Sequence, residues 1–129
     1  MNDEHVRYWV EMADYDFETA EAMLQTGRYL YVGFMCHQVI EKLLKAYWCT
    51  KFDEPPIKIH SLSRLCERTG LYDLISEEQF DIIDSLEPLN IETRYPSYKE
   101  RLMRSLNNER CTELLKQTDS LRIWIKNKL

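Results

Sequence analysis

The chain has 129 residues, a formal net charge of −5, 44% hydrophobic residues and 12% aromatic residues. Its length suits one compact domain rather than two, and its apolar fraction excludes a disordered chain. Only three Gly and four Pro residues are present, too few turn residues for a many-stranded fold. We therefore expect residues 1–129 to form a single domain of helices joined by short loops.

Neither a membrane span nor a secretory signal is evident in the sequence. No stretch approaches the ~20 apolar residues needed to cross a bilayer, and the first residues, MNDEHVRYW, are acidic where a signal peptide is basic and then apolar. We expect a cytoplasmic protein that does not bind membranes.

The cysteines are widely spaced, without a CxxC pair, and predict small core residues rather than a zinc site or disulfides: Cys36, Cys49, Cys66 and Cys111.

The charge is unevenly distributed along the chain. Residues 1–93 carry 8 basic and 18 acidic side chains, a net charge of −10, whereas residues 94–129 carry 9 basic and 4 acidic side chains, a net charge of +5. A basic final third on an acidic protein indicates a local anion site or an acidic partner. The alternative is that the two oppositely charged regions pack against each other.

The first predicted helix runs from Glu4 to Gln25. Its apolar residues recur at helical spacing and form one stripe: Val6, Trp9, Ala13, Ala20 and Met23. Asp16 is an acidic residue on that apolar side of the helix. Gly27 stands where a helix commonly ends in a left-handed residue, so we expect the helix to stop there.

The second predicted helix, from Tyr31 to Lys51, is apolar along one stripe and polar along the next. The apolar positions step by four, three and four residues, the spacing of a bundle seam: Cys36, Ile40, Leu43 and Tyr47. A polar ridge runs beside them at four-residue spacing: His37, Glu41 and Lys45, extended by Gln38 and Lys42. Taken alone, this ridge is explained by ordinary pairing of Glu41 with Lys45, worth ~0.2–0.5 kcal/mol.

A short third helix is predicted from Leu62 to Arg68, with Ser61 as its cap and Gly70 as its stop. His60 stands just before it. A lone histidine in this position is commonly a cap or a packed side chain. Its ordinary pKa of about 6.5 nevertheless lets it exchange protons at cellular pH.

The remaining helices complete an all-α fold. The fourth opens with a capping box at residues 76–79, Ser-Glu-Glu-Gln, and the fifth is predicted from Glu100 to Lys126. No strand pattern or internal repeat is present. Since the connections are short, the sequence predicts a five-helix, up-and-down antiparallel bundle.

The segment from Asn90 to Tyr98, between the last two helices, is predicted to be irregular. Pro96 favours an extended conformation at Tyr95, which would fix the direction of Arg94. A rigidly placed guanidinium beside two phenols suits a phosphate and a stacked base. The alternative is an ion pair between Arg94 and a buried carboxylate, for which Asp16 is the candidate, and the sequence leaves both open.

Together, these segments resemble the HEPN family, small helical domains often found with minimal nucleotidyltransferases. The resemblance extends over most of the chain and is carried by these residues: Trp9, Ala13, Asp16 and Ala20; the run Cys-His-Gln-x-x-Glu-Lys-x-x-Lys-Ala at 36–46; His60 and Leu62; and Arg-Tyr-Pro at 94–96. It implies a five-helix bundle and a homodimer whose polar cleft lies at the subunit junction.

Many HEPN members are metal-independent ribonucleases with an Arg, four to six intervening residues and a His. The resemblance implies that the histidine takes a proton from the ribose 2′-hydroxyl while the arginine holds the phosphate. The positions at that spacing after Arg94 are Lys99, Glu100 and Arg101, and no other Arg in the chain has a His at that distance. Loss of a general base costs ~10²–10⁴ in rate, so we expect weak or lost ribonuclease activity.

The sequence thus predicts a HEPN-type module that binds a nucleotide or an RNA phosphate, as the toxin-like partner of a minimal nucleotidyltransferase. The predicted site residues are Arg94 for phosphate, Tyr95 for stacking, Lys42 and Lys45 for positive charge, and His37 and His60 for orientation or proton exchange. Residual catalysis would rest on Arg94 and His60. The alternative function is a non-catalytic dimerisation or protein-interaction domain without a ligand. No metal or cofactor is expected, because His37 and Glu41 supply only two ligands and no nucleotide-loop or hydrolase motif occurs.

Overall fold

The computed structural model describes residues 2–91 and 95–129. Six α-helices make up most of this part of the chain: α1 (Asn2–Gln25), α2 (Tyr29–Lys51), α3 (Leu62–Thr69), α4 (Glu77–Leu86), α5 (Pro96–Ser105) and α6 (Asn108–Lys126). Short 3-10 turns follow α3 and α4, at Leu71–Asp73 and Glu87–Leu89. The described residues contain no strand, and the predicted all-α fold is confirmed.

Helix α2 is the central element of the molecule. It contacts α1, α3, α4, α5 and α6, and most of its residues are buried. The three-residue turn between α1 and α2 contains Gly27 at φ +75°, the left-handed conformation predicted for it. Because that turn is short and the two helices pack along their length, α1 and α2 form an antiparallel hairpin.

The predicted helix caps are present in the structure. The Ser61 hydroxyl accepts a hydrogen bond from the Arg64 amide at 3.3 Å, at the start of α3. At the start of α4, the Ser76 hydroxyl accepts from the Gln79 amide at 3.1 Å, while Gln79 Oε1 accepts from the Ser76 amide at 2.9 Å. These contacts satisfy backbone amides that would otherwise lack partners.

The last predicted helix is divided into α5 and α6. Leu106 lies between them with an extended backbone, φ −90° and ψ 125°, and its side chain is buried in the core. The Asn107 side chain then accepts a hydrogen bond from the Arg110 amide at 2.8 Å and caps α6. The described residues therefore form six helices rather than the predicted five, because Asn107 starts a new helix instead of continuing the old one.

All four cysteines are free and buried, as predicted for small core residues. Burial raises the pKa of the Cys36 and Cys66 thiols to about 12, so both stay protonated and unreactive. In the part of the chain that the structure describes, none of the helices combines the length and the apolar character that a bilayer span requires.

Candidate functional site

Four polar side chains meet between the middle of α2 and the loop that precedes α3. We call them the Glu41 cluster: His37, Glu41, Lys45 and His60. The buried Glu41 carboxylate accepts a hydrogen bond from Lys45 Nζ at 2.9 Å. His60 Nδ1 lies 3.1 Å from both carboxylate oxygens, and His37 Nδ1 lies 3.7 Å from Oε1. Helical spacing places residues 37, 41 and 45 on one face of α2, and the fold adds His60.

The Glu41–Lys45 pair is buried. The Lys45 side chain is only 10% exposed and that of Glu41 only 5%, and the Lys45 ammonium also lies 5.6 Å from the centre of the Trp9 ring of α1. A buried ion pair is costly to break, because removing one partner leaves the other charge without compensation. The Glu41–Lys45 pair expected from the four-residue spacing is thus present. Because it is buried, loss of one partner costs more stability than the same loss in an exposed pair.

His60 is the member of the cluster that reaches the surface, with a side chain 54% exposed. Its Nδ1 faces the Glu41 carboxylate. A carboxylate in this position favours a proton on Nδ1, which leaves Nε2 to accept a proton or to meet a ligand. Glu41 therefore holds an oriented imidazole at the surface.

His37 is 1% exposed and is the buried histidine of the cluster. Desolvation lowers its pKa below the usual 6.5, although the charges of Glu41 and Glu87 and a hydrogen bond with the His60 backbone act in the opposite direction. The imidazole of His37 is therefore neutral at neutral pH. Its ring lies beside the Glu41 carboxylate, which His60 also faces.

Glu87 fixes the loop that carries His60. Its carboxylate accepts hydrogen bonds from the Leu62 amide at 2.9 Å, the Ser63 hydroxyl at 3.1 Å and the Ser61 hydroxyl at 3.2 Å. A carboxylate at the N-terminus of a helix is favoured by the helix dipole. The start of α3 is therefore occupied by a carboxylate of the protein itself rather than open to an external anion.

The chain that carries this cluster also matches the model of a known protein family. The HEPN domain model matches residues 6–128. The chain belongs to the HEPN family. The predicted resemblance is thereby confirmed.

Two solved structures share the fold of this HEPN domain. TT1696 from Thermus thermophilus matches with a TM-score of 0.79 and 24% identity over 100% of both chains. ST0689, an archaeal HEPN homologue, matches with a TM-score of 0.68 and 18% identity over 95% of this chain and 96% of that one. At these identities the likeness shows the fold. No protein in the curated set has a sequence that matches significantly.

Beside the cluster, Lys42 of the HEPN domain forms an ion pair with Asp16 of α1. The Asp16 side chain is buried, as expected for a carboxylate on the apolar side of α1. Arg94, the other partner considered for Asp16 and the predicted phosphate ligand, lies outside the described residues. Lys42, which was predicted to supply positive charge for a ligand, is therefore already paired with the Asp16 carboxylate.

Tyr95 directly precedes α5. Its side chain is 83% exposed and its backbone is extended, with φ −73° and ψ 155°, as the following Pro96 predicts. No hydrogen bond or ion pair joins Tyr95 to the Glu41 cluster within the described ranges. The structure thus brings His37, Lys45 and His60 together and leaves Tyr95 at the start of another helix.

Two residues of the site, Glu41 and Glu87, make contacts that the sequence did not indicate. Glu41 was visible as part of the polar ridge, but its contact with His60 joins positions 19 residues apart. Glu87 gave no signal of its own, because it acts on α3 from 25 residues away.

Across the described residues, no group of three or more His, Cys, Asp or Glu side chains is arranged to hold a metal ion.

Proposed function

We propose that this HEPN domain binds the phosphate of a nucleotide or of an RNA beside the Glu41 cluster. The observation that carries the proposal is the exposed His60 imidazole, held by a buried carboxylate at 3.1 Å. His60 presents Nε2 to the ligand, Arg94 supplies a charge-assisted hydrogen bond to the phosphate, and Tyr95 stacks on a base. In the cell, the domain acts as the toxin-like partner of a minimal nucleotidyltransferase.

The lysines of the site have a supporting role in this proposal. Lys45 is paired with Glu41 and Lys42 with Asp16, so each neutralises a carboxylate that would otherwise repel a phosphate. The net positive charge for an anion then comes from Arg94. We expect binding of modest affinity that weakens as salt rises, because exposed charges are screened.

Ribonuclease activity is weak or lost in this proposal, because no histidine follows Arg94 at the motif spacing. Any residual cleavage depends on His60, since His37 is buried and neutral. RNA cleavage that continues unchanged in a His60→Ala protein would rule out this role for His60.

The binding proposal is tested with AMP and with a short single-stranded RNA as probes. We expect Arg94→Ala and His60→Ala each to weaken binding by roughly tenfold or more, because a hydrogen bond to a charged group contributes ~1.5–3 kcal/mol. Arg7→Ala and His5→Ala are matched controls, since both residues lie on α1 with exposed side chains. Affinity unchanged in the Arg94 and His60 variants, with folding intact, would contradict the proposal.

The partner is tested separately. We expect the chain to co-purify, as a homodimer, with a small nucleotidyltransferase encoded in the neighbouring reading frame. Independent elution of the two co-expressed proteins would exclude a stable complex.

A second candidate function is a protein-interaction domain without a ligand, in which the polar residues of α2 only set dimer register. The pairing of both Lys42 and Lys45 with carboxylates favours it, because neither ammonium needs an external anion. The Arg94→Ala comparison separates the two candidates. If the chain is an interaction domain, the Arg94→Ala protein still binds its partner, and neither it nor the wild type binds a nucleotide or RNA.

A further inference from the structure

A continuous groove lies on the surface between α4 and α6. One part of it has a volume of about 740 Å³ and the adjoining part about 420 Å³, and Glu78 and Ile82 line both parts. Along α6 the groove extends from Glu109 to Trp124, which is about 22 Å at the rise of an α-helix. The α4–α6 groove is therefore long enough to hold a helix of about four turns.

Each side of the α4–α6 groove presents side chains at helical spacing. The lining residues recur every three or four positions: Ile75, Glu78, Ile82 and Ser85 on the α4 side, and Arg110, Glu113, Gln117, Ser120 and Trp124 on the α6 side. Side chains with this spacing lie along one face and are those that a neighbouring helix contacts. All lining residues belong to 74–85 and 107–124, so no third helix of the described chain lines the groove.

The part of the groove beside the start of α6 is acidic. Its charged lining residues are Glu78, Asp81, Glu109, Arg110 and Glu113. Four carboxylates and one guanidinium give a net charge of −3. None of these side chains has an ion-pair partner among residues 2–91 and 95–129. An occupant with positive charges would therefore meet carboxylates that have no internal counter-ion.

Nearby cations of α6 do not neutralise the groove, because they pair elsewhere. Arg122 Nη1 and Lys126 Nζ lie 2.8 Å and 3.1 Å from the Asp14 carboxylate of α1. Arg122 also pairs with Asp119 at 2.8 Å. The negative charge of the groove is thus left for an external partner.

The opposite part of the groove is apolar. Leu74, Ile75 and Trp124 line it, and the Leu74 side chain is 54% exposed. Ile82 continues the apolar surface towards the acidic part. An exposed apolar surface that is bordered by charged residues is typical of a site for another protein.

We infer that the α4–α6 groove binds an amphipathic helix of a partner protein, one that carries apolar side chains towards one end and Lys or Arg towards the other. The apolar side chains cover Leu74 and Trp124, while the cations pair with Glu109 and Glu113. A helix laid in a groove with its apolar face inward is a common mode of peptide recognition. The charges of the groove select the partner.

The occupant belongs to a different protein rather than to a second copy of this chain. Helix α5, which is exposed and basic, has ten residues and is about 15 Å long, so it is shorter than the groove. The groove also shares no residue with the Glu41 cluster. A homodimer that is joined at a polar cleft beside that cluster therefore leaves the groove open.

Two labelled helical peptides of about 18 residues, long enough to span the groove, test the inference. The first has leucines along one face of one half and lysines in the other half. The second has glutamine in place of each lysine. We expect the full chain to bind the lysine peptide at least about tenfold more tightly, since only lysines pair with the carboxylates. Fluorescence anisotropy gives both dissociation constants.

Two variants locate the binding. We expect Glu109→Gln with Glu113→Gln to raise the dissociation constant of the lysine peptide about fivefold or more, with little effect on the glutamine peptide. Leu74→Ser should weaken both peptides, because both carry the leucines. Glu11→Gln with Glu18→Gln on the exposed face of α1 is the matched control: it changes the net charge equally and should leave both affinities intact. Circular dichroism shows whether each variant keeps its helices.

Four results would overturn the inference. The lysine peptide fails to bind, it binds no better than the glutamine peptide, or its affinity survives in both groove variants. In the fourth, sedimentation shows that the groove variants separate a wild-type dimer, and the occupant is then a second copy. In each case nucleotide or RNA binding is judged separately by the Arg94 variant, since the groove and the Glu41 cluster share no residue.

Discussion

At the scale of single residues, Glu41 determines how the polar side chains of the site are held. Its carboxylate is buried in the middle of α2 and balances the charge of Lys45 while it orients the His60 ring. His37 lies on its other side. Lys45 and His60 are therefore both placed by the same negative charge.

Replacing Glu41 by Gln keeps the side-chain size but leaves the buried Lys45 ammonium without a counter-ion. Breaking a buried pair in this way costs about 3–5 kcal/mol, and we expect the free energy of unfolding in urea to fall by that order. The double variant Glu41→Leu with Lys45→Met should lose less, since no buried charge remains. A Glu41→Gln protein within about 0.5 kcal/mol of wild type would show that the pair is solvated.

His37 gives the protein a defined pH dependence. Its pKa is lower in the folded protein than the usual 6.5, chiefly because of desolvation. Below about pH 6.5 the unfolded chain therefore binds more protons than the folded one, and stability is lost as pH falls from that value towards the folded pKa. Above that range the contribution is fully present.

We expect His37→Gln to reduce this loss by up to about 1.4 kcal/mol for each pH unit in the affected range. The measurement is urea unfolding near neutral pH and near pH 5.5, with His5→Gln on the exposed face of α1 as the control. Equal losses on acidification in wild type and in His37→Gln would mean that the pKa of His37 is not lowered by folding.

At the scale of elements, the start of α3 depends on a residue from the turn after α4. Glu87 caps the helix through the Leu62 amide and two serine hydroxyls. The loop that carries His60 is therefore tied to a distant part of the chain. Its position at the site depends on that cap.

We expect Glu87→Ala to lower the free energy of unfolding by about 1–2 kcal/mol, the usual cost of losing a cap and a favourable helix-dipole contact. The amides of Leu62 and Ser63 should also exchange with solvent faster. Asp84→Ala is the control, since Asp84 is an exposed acidic residue of α4. Unchanged exchange at both amides would contradict the cap.

The helices could be predicted where the residues that define them lie within a few positions of one another in the sequence. The stripe of α2, the capping box at Ser76 and the stop at Gly70 each depend on residues within a few positions of one another. The break at Asn107 was missed, because the apolar spacing continues through Leu106, which is buried although its backbone is extended. A capping asparagine inside such a pattern is a weak signal.

The site was predictable only in part, for the same reason. His37, Glu41 and Lys45 share a face of α2 by spacing alone. The contacts of Glu41 with His60, of Glu87 with α3 and of Asp16 with Lys42 join residues 19 to 26 positions apart. Such contacts follow from how the helices pack, which a helical pattern does not specify.

At the scale of the whole molecule, charge is divided between internal pairing and open surfaces. Asp14 of α1 is paired with Arg122 and Lys126 of α6, which joins part of the acidic region of the sequence to the basic final third, whereas Asp16 is paired with Lys42 inside the acidic region. Other charged side chains form no ion pairs within the described part of the chain. They are the cations of α5 and the carboxylates between α4 and α6: Lys99, Arg101 and Arg104, and Glu78, Asp81, Glu109 and Glu113.

The most direct test of the ligand site follows the histidine ring resonances by NMR during titration with AMP and with a short single-stranded RNA. If the exposed His60 ring meets the phosphate, its resonances shift and saturate with the ligand, whereas those of His5 on α1 stay in place. Saturating ligand that leaves the His60 and His37 rings unmoved, or that moves His5 as much as His60, would contradict a binding site at the Glu41 cluster.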